Sequence, residues 1–343
     1  MKPFALLAGV FFGTSSSLPS PISNFIGNSS SFANMFDDLP DIEKNVGSLS
    51  PGFRPKPEQP CPLPSLYPVK SSKFYVDQMD TTNKHITVFY PDISLDNESR
   101  FPLLAYAHGY GGGGVQTVPA YWEMCTALAG YGFVVTLHHA CDLGCWDSKP
   151  KGFSHYYEQQ LKAIDWAVDM SRTTITQVED AFYHLDVSLG VGVVGHSMGG
   201  QATLFSSSDV SDPSSRNISS AVYHHAWTDD FPTPQVPFLD FTSVWDDEAR
   251  EATMGIPIFK SGERTGLTRG IVSTSNFGHH EADILGINPL LAQFTTAWFK
   301  WFMAAGGDDG VDWEEMIFGT GENSVCKGGM GDVERCEIVD LRS

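Results

Sequence analysis

The most reactive pattern in this 343-residue chain is a serine between glycines, Gly195-His196-Ser197-Met198-Gly199, directly after the short apolar run Val191-Gly192-Val193-Val194. A strand, Gly-x-Ser-x-Gly and then a helix start is how a nucleophilic serine is presented on a sharp turn. Such a turn is strained, and larger residues in place of the glycines would collide with the strand and helix beside it. A serine hydroxyl is a weak nucleophile at neutral pH, so it needs a histidine base and an acid that orients the base. In this arrangement the chain order is serine, acid, histidine. Asp246 stands at the carboxyl end of the apolar run Pro237 to Trp245 and is the expected acid, with Asp247 as the fallback; Asp229 and Asp230 lie one strand too early. The base is expected in Asn276-Phe277-Gly278-His279-His280-Glu281, after the run Ile271 to Ser275, with His279 preferred to His280.

Acyl transfer also needs hydrogen-bond donors for the oxyanion. The amide of Met198, next after the nucleophile, is one candidate. The second is the amide of Tyr110 in Ala107-His108-Gly109-Tyr110-Gly111-Gly112-Gly113-Gly114, where glycines let backbone approach substrate. A phosphate cradle is the competing reading of these glycines, but no Gly-Lys-Ser or Gly-Lys-Thr follows. His279-His280-Glu281-Ala282-Asp283 has the look of a metal cluster, yet adjacent loop histidines rarely share an ion and no third spaced ligand or Cys-x-x-Cys pair is present. No metal and no cofactor are therefore expected. His138, His139, His224 and His225 end other apolar runs and are read as packed or hydrogen-bonded.

These groups need a scaffold, and the periodicity supplies one. Ile86, Val88 and Tyr90 alternate as in a strand, and Leu103 to Ala107, Phe133 to Leu137 and Ala221 to His225 read as further strands. Between them, Val118, Trp122, Cys125 and Ala129 recur at helical spacing, as do Tyr157, Leu161, Ile164 and Val168. Asn288-Pro289 opens a final helix carrying Leu291, Phe294, Trp298 and Trp301. Strands alternating with crossover helices predict an α/β fold, a mostly parallel sheet with helices on both faces. The catalytic domain is expected over residues 69–305, after a Pro/Ser-rich linker or arm at 18–68 and before a Gly-rich acidic tail at 306–343.

Composition narrows the partners. With 21 Lys and Arg against 41 Asp and Glu, the net charge of −20 excludes a polyanionic partner such as nucleic acid. Neutral esters, lipids and polymers stay open as substrates, and a monomer is expected. One lysine, nine mainly apolar residues from Phe4 to Phe12 and small residues to Ser17 have the layout of a secretory signal over 1–17. That stretch is too short to span a bilayer. Three sequons, at Asn28, Asn97 and Asn217, and six cysteines agree with export. Cys326 with Cys336 is the first expected disulfide; Cys141 and Cys145 could pair with each other or with Cys61 and Cys125. The destination is the cell exterior or, in an alga whose plastid is entered through the secretory route, that plastid.

Together, His108-Gly109-Tyr110, the elbow Gly195-His196-Ser197-Met198-Gly199-Gly200, Asp246 and Phe277-Gly278-His279 resemble one branch of the α/β-hydrolases. That branch contains chlorophyllases, bacterial cutinase-like polyester hydrolases, platelet-activating-factor acetylhydrolases and dienelactone hydrolases. Asn276-Phe277-Gly278-His279 looks like the Asp-Tyr-Gly-His segment of plant chlorophyllases, whereas Met198 stands where those carry Arg and the polyester hydrolases carry Met. Trp227 sits where the polyester hydrolases have a substrate-stacking Trp. The resemblance implies a serine ester hydrolase with Ser197, Asp246 and His279 as triad, Tyr110 and Met198 amides as oxyanion hole, and a wall of Tyr110, Met198 and Trp227 against an apolar substrate. The phytyl ester of chlorophyll is expected first, polyesters or short acyl esters second. A non-catalytic binding protein on the same fold is the alternative of another class.

Overall fold

The computed structural model describes residues 63–79, 83–94, 98–114, 117–141, 145, 155–173, 180–275, 278–283, 288–303, 310–330 and 332–341, all within the unit Glu58–Ser343. The expected leader, most of the arm, Cys61 and the sequons at Asn28 and Asn97 lie outside them.

Nine strands form one sheet: β1 (Val69–Tyr75), β2 (His85–Pro91), β3 (Leu103–Ala107), β4 (Val134–His138), β5 (Val191–His196), β6 (Ile218–His224), β7 (Phe238–Ser243), β8 (Arg269–Thr274) and β9 (Val333–Val339). Their spatial order is β1-β2-β4-β3-β5-β6-β7-β8-β9, parallel from β4 to β8, with β1, β2 and β9 antiparallel at the edges. The central strands are apolar throughout because both faces are covered. In β3, Leu103, Ala105 and Ala107 enter one core while Leu104 and Tyr106 enter the other. Successive residues of a strand point to opposite faces, so this single run feeds both layers.

The helices are α1 (Thr117–Gly130), α2 (Tyr156–Arg172), α3 (Asp180–Tyr183), α4 (Met198–Ser206), α5 (Ile256–Ser261), α6 (Pro289–Phe302) and α7 (Trp313–Phe318). On one face α2 and α4 pack on each other and on β3; on the other, α1 and α6 pack together beside β2, β4 and β6. Asn288 caps α6 as expected, its side chain accepting from the Leu290 amide at 3.0 Å.

Two expectations need correction. In α1 the buried stripe is Tyr121, Met124, Cys125 and Leu128, while Trp122 is 46% exposed. The inward place goes to a tyrosine whose hydroxyl is needed inside, as shown below. The helix at Pro289–Phe302 is also not the last element, since the tail folds into α7, capped by Asp312, and β9, which pairs with β8. Glu334, Arg335 and Glu337 gave β9 a polar look, and charge of that kind is what protects an edge strand. Disulfides join Cys326 to Cys336, as expected first, and Cys141 to Cys145, whereas Cys125 is a buried thiol. Among the described residues no helix is long and apolar enough to cross a membrane.

Candidate active site

The strand order reverses around β3 and β5, and the carboxyl ends of strands at such a switch point are where α/β sheets build sites. Here the loop after β3 carries Gly109 and Tyr110, and the turn after β5 carries Ser197. Ser197 has φ 57° and ψ −119°, a strained conformation for a residue with a side chain. Its backbone is pinned from both sides: its amide donates to the His224 carbonyl and its carbonyl accepts from the Trp227 amide, each at 2.9 Å. The flanking glycines answer to packing. A Cβ on Gly195 would strike the Gly199 backbone, and one on Gly199 would strike the Ala107 carbonyl.

His279 Nε2 lies 2.8 Å from Ser197 Oγ, and its Nδ1 lies 2.9 Å from Asp246 Oδ2. The other carboxylate oxygen of Asp246 accepts from the amides of Glu248 and Ala249 at 2.8 and 2.6 Å. Asp247 is exposed, and His280 turns away to Asp283, Nδ1 to Oδ2 at 2.9 Å. The structure thus lines up Ser197, His279 and Asp246, and leaves both fallbacks out of the line. Asn276 and Phe277, ahead of His279, lie outside the described residues.

A second histidine shares the acid. His225, which follows β6 with φ 49°, points Nδ1 at Asp246 Oδ2 (2.9 Å) and Nε2 at Glu281 Oε1 (2.6 Å), while Asn288 Nδ2 donates to Glu281 Oε2 at 2.9 Å. Burial opposes a charge on His225, but the Glu281 charge and the Asp246 hydrogen bond outweigh it and hold the ring up at about 10. Burial likewise opposes ionised Asp246, yet hydrogen bonds from His225 and His279 keep it well below the usual carboxylate range. Ligand-type atoms of His225, Asp246 and His279 lie within 4.8 Å of one another, a grouping that shares only His279 with the metal-like run from His279 to Asp283. Sequence placed His225 merely at a strand end. Its signal was topological, because β6 and β7 are parallel neighbours and their carboxyl ends must meet.

On the other side of Ser197 the hydrogen bonds run between neutral groups, with the Asp283 carboxylate 3.8 Å from His196 Nδ1. The Gly109 amide donates to Tyr121 Oη at 2.7 Å, Tyr121 Oη lies 2.9 Å from His196 Nδ1, and His196 Nε2 lies 2.7 Å from the His279 carbonyl oxygen. An amide can only donate and a carbonyl only accept, so His196 carries its proton on Nε2 and Tyr121 donates to Nδ1. Burial and the neighbouring His279 push His196 down to about 3, which keeps it neutral. His108 bridges to the Ala140 carbonyl at 2.8 Å, and Tyr156 Oη donates to the His108 carbonyl at 3.0 Å, fixing the start of the Tyr110 loop. His138 packs between the rings of His108 and Tyr156, and His139 and His224 are hydrogen-bonded, as expected.

Of the residues expected to form the substrate wall, Tyr110 is 54% exposed and Trp227 is half-buried. Met198, expected in the same wall, is buried, because it opens α4, all of whose residues are buried. Trp245, directly ahead of Asp246, is 70% exposed, and sequence reasoning passed over it as the end of a strand.

A parallel sheet that delivers a strained serine after β5, an acid after β7 and a histidine after β8 defines a serine hydrolase of the α/β-hydrolase fold. The family follows directly from comparison of the sequence: the PETase family, described as PET hydrolase-like, matches residues 82–324, and the chain belongs to it. It is a carboxylic-ester hydrolase. Comparison with curated proteins gives no match.

Proposed function

We propose that the chain cleaves apolar esters of the polyester kind through an acyl-enzyme on Ser197. The observation carrying this reading is the continuous line from Ser197 Oγ through His279 to Asp246, with both contacts under 3.0 Å. Ser197 attacks the ester carbonyl while His279 Nε2 takes its proton; Asp246 holds the ring by Nδ1 and stabilises the imidazolium. The amides of Tyr110 and Met198, which among the described residues bond no other group, receive the oxyanion. His279 then gives its proton to the leaving alcohol, and water repeats the sequence to release the acid. The exposed aromatic faces of Tyr110 and Trp245, with Trp227 tied by its amide to the Ser197 carbonyl, suit a flat or apolar acyl chain.

The phytyl ester of chlorophyll is the second substrate reading, favoured by the Asn276-Phe277-Gly278-His279 segment. The same proposal takes residues 1–17 as an export signal, 18–68 as an arm and 69–305 as the catalytic domain, with the tail completing the sheet. Export is supported by the two disulfides. Parallel turnover of a polyester film, short nitrophenyl esters and chlorophyll ranks the substrates. Ser197→Ala is expected to bring all of them toward the residual rate left by the oxyanion hole, roughly 10³ to 10⁴ over water. Undiminished hydrolysis by that variant would overturn the mechanism.

A further inference from the structure

We propose that His225 is a positioning residue, a buried imidazolium that locks the Asp246 carboxylate toward His279 and extends ester hydrolysis to lower pH. The inference rests on reading Ser197, His279 and Asp246 as the triad. Both ring nitrogens of His225 face carboxylate oxygens, at 2.9 and 2.6 Å, and the side chains of His225, Asp246 and Glu281 are all 0% exposed. An ionised carboxylate only accepts, so each contact requires a proton on the ring, and only the imidazolium has two. The site is held from outside as well. The His225 amide donates to the Phe241 carbonyl at 2.8 Å, and Asn288, which caps α6, holds the far oxygen of Glu281.

Two consequences follow. Asp246 receives two ring N–H groups on Oδ2 and two backbone amides on Oδ1, so rotating the carboxylate would break several bonds at once. Charge is the second. When His279 takes the serine proton, a second imidazolium already sits 6.0 Å away, centroid to centroid. It opposes protonation of His279 and so keeps the base available as pH falls. Glu281 bonds the nitrogen of His225 remote from Asp246, so the His225 ring is the nearer of the two to the shared oxygen. The other titratable groups around the two rings are His196, His224, His280, Asp240 and Glu248, with Asp283 behind them against His196 and His280. The variants below leave all six in place.

The double variant H225Q/E281Q, made in the full chain, removes both charges while offering Asp246 an amide donor. Its kcat/KM on a short nitrophenyl ester, and the inactivation of Ser197 by an organophosphonate, are followed against pH. The acid limb is expected to move up by about one pH unit, with the plateau falling by no more than about tenfold. A role confined to packing lowers the plateau and leaves the limb in place, and that result would overturn the proposal. Histidine ¹⁵N spectra of the wild-type protein test the charge without any variant. At pH 8 one imidazole with two protected N–H groups is expected, and absence of such a ring overturns the proposal even if the double variant does not fold. Failure of the organophosphonate to label wild-type Ser197 would instead sink the triad reading; a labelled enzyme with an unmoved acid limb sinks only the role of His225.

Discussion

The two sides of Ser197 are built from different physics. On the base side, Asp246, His225 and Glu281 form an alternating row of buried charges that ends on His279. On the oxyanion side, Gly109, Tyr121 and His196 form a row of neutral hydrogen bonds in which every direction is fixed. The chemistry explains the split. On the proposed mechanism a positive charge appears transiently on His279 and needs an anion already desolvated and oriented, whereas the negative charge on the substrate oxygen needs N–H groups whose positions do not depend on protonation. The rows meet at the bond between His196 Nε2 and the His279 carbonyl, so the base loop and the oxyanion loop keep one spacing.

The largest break in that comparison comes from the charged row. Asp246→Asn is expected to lower kcat by about 10⁴-fold, because the amide stabilises no imidazolium and favours the wrong tautomer of His279. Pre-steady-state kinetics on a nitrophenyl ester would show the loss in the acylation step; a fall of tenfold or less would mean that another acid does the work. The neutral row should fail differently. Tyr121→Phe strips the Gly109 amide of its acceptor and His196 Nδ1 of its donor in a fully buried place. Unsatisfied buried groups of this kind cost about 1–3 kcal/mol. The expected result is a lower urea midpoint with an unshifted pH profile, and an unchanged midpoint would show that the row is not structural.

How much of this was readable in advance follows the same division. Ser197, Asp246 and His279 were legible because their chemistry demands a fixed chain order and each follows an apolar run at a strand end. The strands from β2 to β8 were legible for a related reason, since a sheet covered on both faces writes continuous apolar segments. His225 and Glu281 carried no such signal. Each is a polar residue at a strand end or in a loop, and only the pairing of β6 with β7 reveals that His225 must meet Asp246. Tyr121 was hidden by the opposite effect. Trp122 beside it is the more apolar residue, and helical spacing alone favoured that face, although the buried hydroxyl is what the Gly109 loop requires. β9 was missed because edge strands are disguised by charge.

The smallest expected effect concerns stability and leaves rate constants aside, but it separates the two rows by sign. His225 is held at about 10 in the folded protein against an ordinary value of 6.5. Its contribution is therefore fully present below pH 6.5 and is lost as pH rises through about 10. His196 is held down at about 3 against the same 6.5, so the folded state resists its protonation and stability is lost as pH falls from 6.5 toward 3. One unequally protonated group changes stability by up to about 1.4 kcal/mol per pH unit, or roughly 2–4 °C in Tm for a chain of this order of size. Calorimetry from pH 4 to 9 should show a Tm maximum near pH 6.5. In H225Q/E281Q the alkaline slope between pH 7 and 9 is expected to become shallower, with His280, raised by its Asp283 hydrogen bond, keeping a share, while the acid slope stays. In His196→Gln, whose amide can both donate and accept, the acid slope is expected to lose one histidine's share while the alkaline slope stays; buried His138, His139 and His224, whose protonation the fold also resists, keep the rest. If either variant flattened both slopes, the two rows would be one coupled network and the division between them would fail.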